Sequence, residues 1–344
     1  RACSQALPRG VRAGRKVNAR ENGTVDWRHL VDGFSGQRVL LVGDVIVDVY
    51  VYGTAMGKSA ETPTIVAREG ETKRFLGGAF LVARNLLELG ARLDFVTLVG
   101  DDEASQFVRA FRHPGYTGLL IEDAGRRTTL KKRFWVDGYK LLQFNTLDNR
   151  DLSPELTERV LGVLTEEVER CDIVVVSDYR HGFLTPTLAR GVVDLCAKKG
   201  KTLYVDSQQS QSAANHKEYS GANVFVLNEK EAQAILPDAM VDDGSIAKLE
   251  TLATTLRAEG VVIKRGAAGA LALLGGRSWR SEAAKVTAVD TCGAGDAFLA
   301  ALCLAGIDDP ETALAMANRW AGFSTLIHGT DPPQLAEFLT SSGG

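Results

Sequence analysis

What is scarce in this 344-residue chain narrows the field first. Proline is rare (9) and the 35 glycines follow no period, which excludes collagen-like and Pro-rich low-complexity chains. Five cysteines (Cys3, Cys171, Cys196, Cys292 and Cys303) stand far apart, with no C-x-x-C and no paired His spacing. That pattern argues against a zinc site or a disulfide framework and reads as free thiols in a reducing compartment. No stretch approaches the roughly 18 uninterrupted apolar residues of a membrane-spanning helix. Charge of one sign is not in excess either: 40 Lys+Arg against 43 Asp+Glu give a net −3, which is no footprint for nucleic acid. That total conceals an asymmetry. Residues 1–20 hold five Arg and one Lys with no acid, which leaves 34 basic and 43 acidic residues in 21–344, a net −9. The basic segment has the composition of a transit peptide. Its plainer reading is a disordered leader over residues 1–35, ahead of one domain over 36–340 in a cytoplasmic protein.

From residue 38 onward, short β-rich runs alternate with helical ones. Arg38–Val51 reads as strand interrupted at Gly43-Asp44, and 79–89 carries the apolar stripe Leu81, Val82, Leu86, Leu89 of a helix with one buried face. Strands are expected at 95–100, 172–177, 202–206, 224–228, 261–266 and 270–275. Helices should begin near Ser153-Pro154, Thr185-Pro186, Glu229, Ile246, Ala294 and Pro310, where Ser or Thr before Pro is a cap and first-turn pair. Continuous apolar strands between helices imply parallel βαβ units covered on both faces, an α/β fold. Two segments, 49–74 and 128–144, alternate polar and apolar residues without intervening helices. They read as a small antiparallel β lid on the main body.

Chemical information concentrates in Asp290-Thr291-Cys292-Gly293-Ala294-Gly295-Asp296, which runs into an apolar helix. Small residues at a helix start leave backbone N–H groups free to approach an anion. A carboxylate in that turn repels phosphate, but it fits if Asp296 deprotonates a hydroxyl that attacks a phosphorus held by the same amides. As a local pattern it also fits a Gly-rich turn with Asp as a helix cap, so context has to decide. The Gly53–Ser59 segment ends in GKS but has three residues between its glycines where a P-loop needs four, and no helix follows its Lys. Gly77-Gly78 opens the helix at 79, and Asn228-x-x-Glu231 follows a strand end, where open α/β sheets bind ligands.

Together these elements resemble the ribokinase/PfkB carbohydrate kinases over residues 38–335. DTCGAGD at 290–296 fits that family's DTxGAGD motif, Gly77-Gly78 its GG motif and Asn228-x-x-Glu231 its NxxE motif. Within the family the sequence is most similar to the D-glycero-β-D-manno-heptose-7-phosphate kinases, through VGDVIVDVYVYG (42–53), GGAFLVARNL (77–86), TTLKKRFW (128–135), SDYRHGFL (177–184) and ANRWAG (317–322). The resemblance implies a three-layer α/β/α core with a mostly parallel sheet. It implies Asp296 as catalytic base and the amides of Gly293, Ala294 and Gly295 as an anion hole. Asp44, Asp48, Gly77, Gly78, Lys131, Arg133 and Asp178 would meet the sugar or sugar phosphate. Asn228, Glu231, Lys264, Gly266 and Asn318 would meet ATP, with Asn228 and Glu231 placing Mg²⁺ through water. Mg²⁺ and K⁺ are the implied cofactors, and a lid-paired homodimer with no nucleic-acid or membrane partner is the implied assembly.

Departures from the pattern bear on the acceptor. The heptose kinases read GGAAN where this chain has Leu81 at the last position, RISPEAP where it has Gly57–Pro63, and SDYxKG where it has Ser177–Gly182 with His181 for the Lys. Trading a buried polar contact for Leu changes which hydroxyl pattern a pocket accepts. The expectation is transfer to a heptose 7-phosphate at its anomeric hydroxyl. The alternatives are another sugar, sugar phosphate or nucleoside, or a non-catalytic sensor of the same fold. No HxGH nucleotidyltransferase segment is present, so a kinase alone is expected.

Overall fold

A computed structural model describes residues 20–21, 24–209, 214–237, 246–327, 329 and 331–341. The expected leader therefore lies largely outside the described residues, but its proposed end at residue 35 is too late. A two-residue ladder joins β1 (Arg20–Glu21) to β2 (Thr24–Val25). Helix α1 (Trp27–Asp32), capped by the Asp26 side chain, then buries Leu30 and Val31, and Phe34 follows them into the core.

The chain continues through β3 (Arg38–Gly43), β4 (Val45–Lys58), β5 (Ile65–Gly78), α2 (Ala79–Glu88), β6 (Arg92–Val99), α3 (Glu103–Arg109), β7 (Tyr116–Glu122), β8 (Leu130–Val136) and β9 (Tyr139–Thr146). Next come α4 (Pro154–Arg170), β10 (Ile173–Asp178), α5 (Pro186–Lys199), β11 (Thr202–Ser207), β12 (Val224–Asn228), α6 (Glu229–Ile235) and α7 (Ile246–Leu256). The last elements are β13 (Gly260–Lys264), β14 (Ala270–Leu274), β15 (Arg277–Ser281), α8 (Ala294–Ala305), α9 (Pro310–Ser324) and α10 (Leu335–Ser341). Helices α4, α5 and α9 start by one device: Ser153, Thr185 or Asp309 accepts from an amide three residues on, and Pro occupies the first turn.

Nine strands form the main sheet in the order β15-β14-β13-β12-β11-β10-β3-β6-β7, parallel from β13 through β7. Side-chain alternation sends Val39, Leu41, Val175, Val224 and Val226 to a core under α2, α8 and α9. Leu40, Val42, Val174, Val176, Phe225 and Leu227 go to a second core under α4, α5 and α7. This is the three-layer arrangement expected of continuous apolar strands. Strand order reverses between β3 and β10, which makes their carboxyl ends the switch point of the sheet.

The lid is the four-stranded sheet β5-β4-β8-β9. Its outer pairs are antiparallel, but the central pair β4–β8 is parallel, with Asp48 opposite Lys131 and Tyr50 opposite Arg133. This corrects the all-antiparallel reading. Alternation alone reports that one face is exposed; it does not report the direction of a neighbour reached after some seventy residues of intervening chain. The lid also starts at Val45, earlier than the expected 49. Four elements, α3, β7, β15 and α10, were not apparent in the sequence.

Two helices on one face, α2 and α9, are tied by a buried polar chain. The Trp320 indole donates to Asn85 Oδ1 at 2.8 Å, and Asn85 Nδ2 donates to the Leu81 carbonyl at 2.8 Å. Asn85→Ala is expected to lower the unfolding free energy by about 2 kcal/mol, because it strands the buried indole N–H and leaves a void. Urea denaturation followed by circular dichroism checks this; a change under about 0.5 kcal/mol would show that the chain is dispensable.

Candidate active site

The switch point gathers polar groups from strand ends that lie far apart in sequence. Asp44 sits where the chain leaves β3 for the lid, Tyr179 follows β10, Asp206 is the penultimate residue of β11, and Asn228 and Lys264 end β12 and β13. The first turn of α8 faces them. Gly293, at φ 81°, caps that helix from the left-handed region, a conformation that costs glycine nothing. Gly295 and Asp296 follow in the first turn, where amides have no intrahelical acceptor. Of the three expected anion-hole amides, that of Ala294 also donates to Thr291 O at 3.3 Å, a long bond within the turn.

Asp296 is half-buried, and its Oδ1 accepts from the Tyr179 hydroxyl at 2.8 Å. Burial pushes its carboxyl up to about 7; Asp206 adds to the rise, while the Tyr179 hydrogen bond and Lys264 oppose it. Lys264 pairs with Asp206, and its Nζ lies 3.4 Å from where a Cβ on Gly295 would stand, so the ammonium is beside the amide turn. Burial works against its charge, but Asp206 and Glu231 outweigh burial and hold it above the ordinary Lys range. Asn228 and Glu231 form a reciprocal cap on α6: Glu231 N–H donates to Asn228 Oδ1 at 2.9 Å and Asn228 N–H to Glu231 Oε2 at 2.7 Å. Burial and the nearby Asp206 raise Glu231 to about 7.

On the acceptor side Asp44 is 4% exposed and accepts from the Tyr179 N–H at 2.9 Å. Burial, then the proximity of Asp178, lifts its carboxyl to about 7 against those backbone donors. Asp48 is paired with Arg133, whose guanidinium stacks over the Tyr50 ring at 5.2 Å. Arg133 is therefore engaged within the lid. Lys131, register partner of Asp48, makes no ion pair among the described residues; burial lowers its pKa while Asp48 and Asp44 oppose. The glycine pair is required by the chain itself. A Cβ on Gly77 would strike the Asp48 carboxylate, and Gly78, at φ 63°, would strike the Asp44 carbonyl.

One expected contact is corrected, and a second residue is already engaged within the fold. Asp178 does not reach the cleft: it is 1% exposed, and its Oδ2 accepts from Ser207 Oγ (3.0 Å), Asn215 Nδ2 (2.8 Å) and Tyr219 OH (2.9 Å). Its Oδ1 takes the Arg180 N–H at 2.8 Å, so it anchors the loop that carries Tyr179. Asn318 uses its amide nitrogen on Ser281 Oγ at 2.8 Å, fastening α9 to β15. Gly266, at φ 55°, has open space where a Cβ would project. Tyr179 and Asp206 were missed from sequence. The available signal was their position at the carboxyl ends of apolar strands, DIVVVSDY and TLYVDS. Leu81 is buried against Gly293, 3.5 Å from a Cβ placed there.

A ribokinase-like sheet with a β lid, a GAGD helix start and a carboxylate held at its first turn defines a class of phosphotransferase fold. The family model for pfkB family carbohydrate kinases matches residues 37–336, and the chain belongs to that family. It is 35% identical over 320 residues to the bifunctional protein HldE of Caulobacter vibrioides and 32% over 323 residues to that of Bradyrhizobium diazoefficiens, covering 90% and 91% of this chain. It spans 64% of the length of each. The fold is shared with phosphofructokinase-2 from Escherichia coli in complex with potassium (TM-score 0.71, 17% identity, 89% of this chain and 98% of that one). It is shared also with Arabidopsis thaliana ribokinase complexed with ribose and ATP (TM-score 0.65, 16% identity, 89% and 98%). No helix among the described residues is long and apolar enough to cross a membrane.

A carboxyl raised by burial destabilises the fold as it ionises. Asp44 goes from 3.8 to about 7 on folding, so the native state binds more protons between those values and stability is lost as pH rises through that window. Asp44→Asn is expected to be more stable than wild type at about pH 8, by at most about 4 kcal/mol, with the advantage vanishing near pH 4. Thermal midpoints across pH check it; an advantage independent of pH would contradict the assignment.

Proposed function

We propose that this chain is an ATP-dependent sugar kinase whose acceptor is a sugar phosphate, a heptose 7-phosphate phosphorylated at its anomeric hydroxyl. The observation that carries the kinase reading is Asp296, a carboxyl pushed up to about 7 in the first turn of α8, beside the Gly293–Gly295 amides and joined through Tyr179 to Asp44. The heptose assignment rests on the motif resemblance. A base poised near neutrality suits removal of a hydroxyl proton. The acceptor O–H bond breaks as its proton passes to Asp296, the O–P bond to the γ-phosphorus forms, and the bridge to the β-phosphate breaks to release ADP. The Gly293–Gly295 turn and Lys264 carry the charge that accumulates on the transferring group. Lys131, without an ion pair among the described residues, is a lid cation suited to the substrate's own phosphate.

When bound with ATP, Mg²⁺ supplies charge neutralisation on the phosphate oxygens. Asn228 and Glu231 offer hard oxygen donors, but each already serves the α6 cap, so their reach to the metal is through water. K⁺ stays a proposed cofactor on the strength of the resemblance and of the phosphofructokinase-2 neighbour in complex with potassium. The outer lid exposes Met56 (61%), Ile65 (56%), Tyr139 (75%) and Phe144 (60%), a face suited to pairing with a second copy in a homodimer. The protein is placed in the cytoplasm, where ATP and sugar phosphates are available.

Purified protein with Mg-ATP and a panel of sugars, sugar 7-phosphates and nucleosides tests the reading. A heptose 7-phosphate should give the highest kcat/KM. Asp296→Asn should lower kcat about 10²–10⁴-fold, and wild-type kcat/KM should rise with pH to a plateau above about 7, because the base acts when ionised. No turnover with any acceptor would sink the kinase reading, and preference for an unphosphorylated sugar would sink the role of Lys131.

A further inference from the structure

Tyr179 lies outside the set of groups that the motifs assign, yet it touches both halves of the site. Its backbone N–H donates to Asp44 Oδ2 at 2.9 Å and its hydroxyl to Asp296 Oδ1 at 2.8 Å. One residue thus spans from the hinge of the lid strand to the carboxylate at the α8 turn. The loop that carries it is pinned on its other side. Arg180 is held at φ 62°, and its N–H is taken by Asp178, which three further donors from β11 and the turn at 215–219 hold in place. A left-handed non-glycine residue costs on the order of 1–2 kcal/mol and persists only where its surroundings fix it.

We infer that Tyr179 is a positioning residue for phosphoryl transfer: by holding Oδ1 of Asp296 it leaves Oδ2 to take the acceptor proton and fixes the carboxylate toward the hydroxyl. The inference rests on Asp296 as the base. A phenol serves this role better than an amide or ammonium. It donates one hydrogen bond, adds no charge to a site that must admit ATP, and stays protonated because burial and the adjacent Asp296 push it well above the ordinary Tyr range. The proton balance is unchanged by it: Tyr179 keeps its proton throughout, and Asp296 gains the one the acceptor loses. The other groups that face Asp296 are Asp206 from β11, Lys264 from β13 and Cys292 from its own loop. Among the described side chains none of these hydrogen-bonds its carboxylate, and Tyr179 is the one that orients it directly.

Removing a hydrogen bond to the ionised carboxylate favours its protonated form, so the acid limb of activity should move upward. The test measures kcat/KM for the acceptor from about pH 5.5 to 9 in wild type, Tyr179→Phe, Asp296→Asn and the double variant. Tyr179→Phe is expected to lose about ten- to a hundredfold at pH 6.5, with the acid limb displaced upward by about one unit and a smaller loss at pH 9. KM for Mg-ATP should stay within about twofold, and in the Asp296→Asn background Tyr179→Phe should cost nothing further. Replacing Tyr179 by 3-fluorotyrosine, a stronger donor of nearly the same size, should move the limb the other way. An unmoved limb in both variants, or a full independent loss in the Asp296→Asn background, would overturn the inference while leaving Asp296 as base. An active Asp296→Asn would overturn both.

Discussion

The chain changes sheets twice at one spot, and the rest of the site depends on that crossing. At Gly43-Asp44 it leaves the main sheet for the lid, and at Gly77-Gly78 it returns, with the Ala79 N–H closing on the Asp44 carbonyl at 2.9 Å. Two strands can pass so closely only where Cβ atoms are missing, which is why both returning residues are glycine. The crossing leaves Asp44 and Asp48 under the lid with little water around them. It also places Asp44 against the loop after β10, where its carboxylate receives the amide of Tyr179. Lid, acceptor pocket and catalytic turn are therefore joined through a few bonds at the switch point.

Electrostatics follow from the same geometry. An acidic body, net −9 once the basic segment is set aside, gives ATP no general attraction, so phosphate binding falls to local groups. The structure supplies these sparingly: the amides at the start of α8, and Lys264, kept charged by Asp206 and Glu231. Burying carboxylates beside them has a cost that raises Asp44, Glu231 and Asp296 toward neutrality. For a protein that must take a proton from a hydroxyl, that cost is useful at Asp296.

The layers were legible in the sequence because continuous apolar strands and Ser/Thr-Pro helix starts carry their own physical signatures, as at Ser153 and Thr185. The GAGD turn was legible because small residues before an apolar helix mark a close backbone approach, and the GG and NxxE elements in order supplied the context that the turn alone lacks. What could not be read was pairing between distant segments. The parallel β4–β8 contact, the engagement of Arg133 by Asp48 and the inward turn of Asp178 all depend on partners many residues away. Tyr179 was hidden for the same reason: Asp296, its partner, lies 117 positions along the chain. The segment 116–122 escaped because YTGLLIE offers a run of only three apolar residues, Leu119–Ile121, and no strict alternation.

The central claim is that Asp296 is a carboxyl held near neutrality by its burial at the α8 turn. Carbon-13 NMR of Asp-labelled protein, with the Asp296 signal assigned by its loss in Asp296→Asn, measures this directly. The account predicts a carboxyl that titrates near pH 7 in the ligand-free protein. A midpoint near the ordinary 3.8 would contradict it.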